Sequence, residues 1–98
     1  MGYEIRYTHI TDPQQRDAAA LRDAEEFIGE DRWKFIGQNI LRDFAILDPR
    51  SMGTKIALWK TIRFCLGFCG VQGYPARATW RFYMNALIAQ REAQKCDC

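Results

Sequence analysis

Histidine occurs once in this chain, at His9, and proline three times. One histidine excludes an HExxH zinc helix and any two-histidine metal site built by a single copy. The chain has no GxxxxGK[ST] loop, no GxGxxG turn and no GxSxG elbow, so the local signatures of phosphate cradling, dinucleotide binding and serine hydrolysis are missing. Long apolar runs are missing too: the longest nearly apolar segment, Cys65 to Val71, is far shorter than a bilayer-spanning helix. The opening residues MGYEIRYTHI carry neither the basic flank nor the apolar stretch of a secretory leader, and Arg6 stands where a myristoylation signal wants Ser or Thr. Internal repeats and low-complexity tracts are lacking as well. The expectation from these absences is a cytoplasmic protein that is not an enzyme.

What the chain does have is aromatic and apolar residues in number. At 98 residues, 48% hydrophobic, with three Trp, four Tyr and six Phe, it can order one core, and residues 1–98 read as a single domain. So many rings exceed what a core of this size hides, which places some of them at an interface. Charge is divided along the chain. Residues 1–49 hold six Lys/Arg against ten Asp/Glu, and residues 50–98 hold eight against two. Either the two halves pack with complementary surfaces, or the second half offers a basic face to an anionic partner.

The periodicity is mainly helical. Tyr3, Ile5 and Tyr7 alternate with Glu4, Arg6 and Thr8, predicting that residues 1–10 are extended, with a short strand over 3–9 that pairs within the fold or with another chain. Asp12-Pro13 with Gln15 three positions beyond Asp12 caps a helix over 13–28, whose apolar stripe Ala20, Leu21, Ala24, Phe27 and Ile28 is closed by Gly29. Asp17, Arg22, Glu25 and Glu26 form its solvated face. A second helix over 31–47 carries Trp33, Ile36, Ile40, Leu41, Phe44 and Leu47, and Asp48-Pro49 stops it. Residues 54–69 fit both a helical and an alternating period; their length decides for a helix with Leu58, Ile62, Cys65, Leu66 and Cys69 on one stripe. After the glycine-punctuated break 70–73, Pro75 opens a helix over 75–94 with Trp80, Tyr83, Met84, Leu87 and Ile88 inward, and 95–98 are a tail. The fold class is therefore mainly α, a compact four-helix bundle or an orthogonal helical array.

The four cysteines divide into two pairs. Cys65 and Cys69 stand one helical turn apart, near enough for two thiolates to share an ion, and Cys96 and Cys98 in the tail could supply two more ligands of a zinc or iron–sulfur site. The C-x₃-C and C-x-C spacings are not the usual C-x₂-C knuckle, and the helical pair lies on the apolar stripe, so packing is favoured for it and no cofactor is the first expectation. Cys96-Asp97-Cys98 resembles the C-x-C prenylation signal of small membrane-traffic GTPases over three residues, without any phosphate-binding motif of that family.

Function follows from the basic, aromatic second half. A small binding protein that acts as regulator, inhibitor or accessory subunit of a protein partner is the leading reading, with Trp59, Arg63, Trp80 and Arg81 as anchors, because Trp and Arg carry much interface energy. The alternative is nucleic acid, with Lys55, Lys60 and Arg77 on phosphates; in a helix-turn-helix arrangement Arg77, Thr79 and Arg81 would open the recognition helix. The third reading is the thiolate metal protein. A bilayer surface is disfavoured because Lys60 leaves no clean apolar face, and association of like copies stays open.

Overall fold

The computed structural model describes residues 7–96, the side chains of Lys95 and Cys96 excepted. Four helices account for most of them: α1 (Pro13–Ile28), α2 (Glu30–Asp43), α3 (Met52–Phe68) and α4 (Tyr74–Cys96). No strand occurs among the described residues. The architecture is the mainly-α, four-helix one that the periodicity predicts.

The first helix begins and ends on local chemistry. Asp12 is extended and its carboxylate accepts from the Gln14 amide at 3.0 Å, while Pro13 occupies the first helical position, where no amide donor is needed. Gly29, at φ 100°, turns the chain directly into α2, a conformation closed to most side chains. Ahead of α1, the Arg16 guanidinium donates to the Ile10 carbonyl at 2.6 and 2.9 Å. Tyr7, expected near the end of a strand, is instead helical, and Thr8 and His9 make a turn in which the Ile10 amide donates to the Tyr7 carbonyl at 3.1 Å. Burial of Tyr7 with Ala20 and Ala78, and its ring contact with Tyr74 at 5.6 Å, override the alternation. The rest of that expected strand, residues 1–6, lies outside the described residues.

The second helix stops at Asp43, four residues before the predicted end. Its apolar period continues through Phe44, which is buried, but the backbone has already tightened: the Ala45 amide donates to Arg42 and that of Leu47 to Phe44. Asp48-Pro49-Arg50-Ser51 then forms a turn with Asp first and Pro second, closed by the Ser51 amide on the Asp48 carbonyl at 3.1 Å. Ser51 caps α3 by accepting from the Thr54 amide.

At the other end of α3 the chain closes in a Schellman motif. Gly70, at φ 89°, lets the Val71 amide reach the Leu66 carbonyl at 2.8 Å and its own amide reach Gly67 at 3.0 Å. Val71 and Leu66, 2% and 0% exposed, make the accompanying apolar contact. Tyr74 starts α4, which runs back past α3: Trp80 donates to the Lys55 carbonyl, and Arg50 pairs with Glu92 beyond it. The main core draws on all four helices: Ala24 and Ile28 of α1 join Ile40, Leu58, Ile62, Leu66, Met84 and Leu87. Burying such side chains contributes about 1.5–3 kcal/mol each and is the main term holding the helices together.

Candidate functional site

The inward stripe of α3 is Leu58, Ile62 and Leu66, none of them exposed at all. The opposite surface of the same helix is not polar. Met52, Ile56, Phe64 and Phe68 are 67%, 47%, 73% and 84% exposed, and the only charges on α3 are Lys55, Lys60 and Arg63. No Asp or Glu occurs anywhere between Pro49 and Arg91. A helix that is apolar on both faces has either a second buried face or an interaction surface, and here the second face is open to solvent.

Between α3 and α4 that face hollows into a groove of about 480 Å³. Met52, Ile56, Trp59 and Trp80 supply its apolar walls, and Lys55, Arg77 and Arg81 its charges. Each wall has a local cause. Trp80 is fixed by its indole N–H, which donates to the Lys55 carbonyl at 3.1 Å, and Trp59 meets it edge to face with ring centres 6.1 Å apart. Both rings are half-buried, packed on the core by one side and turned to the groove by the other.

The predicted anchors therefore come together, with distinctions among them. Trp59, Trp80 and Arg81 share the groove, as do Lys55 and Arg77. Arg63 stands next to it, on a neighbouring hollow of about 290 Å³ that Trp59, Gly73 and Arg77 also line. Lys60 lies farther round α3, exposed beside Phe64. Arg81 is committed to the fold: its guanidinium donates to both carboxylate oxygens of Asp17 at 2.8 and 2.9 Å and lies over the Tyr74 ring. Tyr74 donates to the same carboxylate. Asp17, expected on a solvated face, is thus half-buried across from α4, and the Arg81 guanidinium holds its carboxyl below the ordinary carboxylate range. Burial, and then Asp17, pushes the Tyr74 phenol up. Thr79 is fully buried, its hydroxyl donating to the Pro75 carbonyl at 2.7 Å. Of the three residues expected to open a recognition helix, Thr79 is buried and Arg81, partly exposed at the groove, is paired with Asp17.

Sequence reasoning missed Met52 and Ile56. Their signal was their helical phase, opposite Leu58 and Ile62, which the competing alternating pattern obscured.

The cysteines separate. Cys65 and Cys69 are half-buried free thiols packed against the core, and burial, reinforced by Cys69, pushes the Cys65 thiol up. Cys69 caps the C-terminus of α3. Cys96 belongs to the last turn of α4, and Arg91 and Glu92, a turn earlier, already reach Leu47 and Arg50 ahead of α3. The backbone of Cys96 therefore stands at the far end of α3 from Cys65 and Cys69. Cys98 lies outside the described residues. Among the described residues no group of three or more His, Cys, Asp or Glu is gathered for a metal ion, and no helix is long and apolar enough to cross a membrane.

No family model, no curated protein and no solved structure matches this chain.

Proposed function

We propose that this is a small non-enzymatic binding protein that acts as regulator, inhibitor or accessory subunit of a protein partner, and that the groove between α3 and α4 is where the partner seats. One observation carries the reading: Trp59 and Trp80, locked edge to face, wall a groove that is otherwise apolar and bears only cationic charge. Rigid aromatic anchors in a concave, largely apolar site are the usual centre of a protein interface. Charge of one sign adds a preference for a partner whose own anchor is flanked by carboxylates, and it raises the rate of encounter. An apolar floor fits a protein side chain better than a phosphate backbone, so the protein reading stands ahead of nucleic acid, whose contacts are dominated by cation–phosphate pairs.

The test is a pull-down from the native host with the wild-type chain and with Ile56→Asp, a substitution at an exposed groove position. The same protein recovered by wild type and lost by the variant, with unchanged circular dichroism, supports the reading. Recovery of nucleic acid alone, or equal recovery of protein by both, refutes it.

A further inference from the structure

Past the groove, the outer face of α3 changes character. Phe64 and Phe68 stand one turn apart with ring centres 6.4 Å from each other; they are 73% and 84% exposed and stand at the edge of an open surface hollow of about 420 Å³. Lys60, one turn before Phe64, and Arg63 beside it are exposed cations. Gly67 has no side chain, and nothing lies within 4 Å of where one would begin, so the surface between Arg63, Phe64 and Phe68 is a shallow open notch.

From this ridge we infer a second binding surface, separate from the groove: Phe64, Phe68, Lys60 and Arg63 seat the protein on an anionic lipid surface. Three features select that occupant. The charge is all of one sign, so a second copy docking α3 against α3 would oppose Lys60 and Arg63 to their own equivalents. The rings project from a convex helix, and a projecting ring needs a pocket in a protein partner but none in the headgroup region, which yields around it. The cations lie alongside the rings, the arrangement of helices that rest in the plane of a membrane interface with aromatic residues at the acyl boundary and Lys or Arg on the headgroups. Lys60, which from sequence counts against a clean apolar face, has a four-carbon stem that lies along the apolar surface while its ammonium reaches the headgroups. The opposite side of α3 is the core stripe Leu58, Ile62 and Leu66, so docking needs no unfolding.

Each cation near an anionic leaflet contributes about fivefold in affinity, so Lys60 and Arg63 together account for about twenty-fivefold. The experiment is co-sedimentation of the full chain with vesicles of phosphatidylglycerol in phosphatidylcholine, against vesicles of phosphatidylcholine alone, at low and high salt. Wild type is expected to partition onto the anionic vesicles at low salt only. Lys60→Gln with Arg63→Gln should weaken that binding by about twenty-fivefold, and Phe64→Ser with Phe68→Ser should abolish it without changing the circular dichroism. Absence of binding to the anionic vesicles, equal binding to both vesicle types, or a Phe64→Ser, Phe68→Ser protein that binds like wild type would overturn the inference. So would an acidic protein that covers the ridge in the absence of any vesicle binding.

Discussion

Gly37 of α2 is packed against the Tyr83 ring of α4. An alanine there would set its Cβ inside contact distance of the Tyr83 hydroxyl, with the ring carbon Cζ at 3.3 Å and Cε1 at 3.6 Å. Two effects of Gly37→Ala oppose each other. Alanine in a helix interior is favoured over glycine by about 0.5–1 kcal/mol, while overpacking a filled site costs about 1–3 kcal/mol. Tyr83 is only 6% exposed and its ring is braced edge-on by Phe82 at 5.0 Å, so the hydroxyl has little room to withdraw. Overpacking wins, and Gly37→Ala should cost about 1–2 kcal/mol, a fall of roughly 4–15 °C in Tm. Tyr83→Phe removes the clashing oxygen and leaves a tight but yielding contact. In that background the same alanine should gain about 0.5 kcal/mol, reversing the sign. Urea denaturation of the four proteins, followed by circular dichroism, measures the cycle. Stabilisation by Gly37→Ala in the wild-type background, or an equal effect in both backgrounds, would refute the packing of α2 against α4 described above.

Three other outcomes follow from the same packing. Leu58→Ala, at a site with no exposure, should cost about 3 kcal/mol, whereas Phe64→Ser and Phe68→Ser should each stay within about 0.5 kcal/mol; similar costs on the two faces would contradict the phase of α3. Because Arg81 holds the folded-state pKa of Asp17 below its unfolded value, the stabilisation is complete above about pH 4 and is lost as pH falls through the folded value. Asp17→Asn should therefore cost about 1 kcal/mol at neutral pH, modest because the Arg81 side chain is 42% exposed and screened, and should flatten the acid dependence of stability; an unchanged acid limb would count against the pair. Cys65, with its thiol pushed up by burial and then by Cys69, should be alkylated by iodoacetamide more slowly in the folded than in the urea-unfolded protein at neutral pH, the gap narrowing above about pH 8.5; faster reaction in the folded state would be inconsistent with this environment.

What could be read from the sequence was local. Asp12-Pro13 and Gly29 bound α1 because caps act on their own neighbours, and the glycines at 70 and 73 break the chain where two positive φ values are needed. Apolar spacing carries α2 past its end because it reports which side chains are buried, and Phe44 stays buried after the backbone has left the helix. Tyr7 reads as strand because a tyrosine that alternates with polar neighbours looks the same whether it is held by a sheet or by Tyr74. At the candidate site, Trp59, Trp80, Lys55 and Arg77 could be proposed from composition, but nothing in the sequence shows that they share one groove. The pairing of Arg81 is not legible in the sequence, because its partner, Asp17, is 64 positions away and no spacing rule connects them. The outward rings of α3 were hidden by an ambiguity that has a physical basis: a helix apolar on both faces satisfies two periods at once.

The central claim is that the α3–α4 groove is the surface on which a protein partner sits. Its most direct test is photo-crosslinking in the native host from a reactive residue introduced at position 56, in the groove, and in parallel at position 38, exposed on α2. The account predicts one discrete adduct from position 56, absent from position 38 and suppressed by excess unlabelled chain. The same adducts from both positions, or none from position 56, would contradict it.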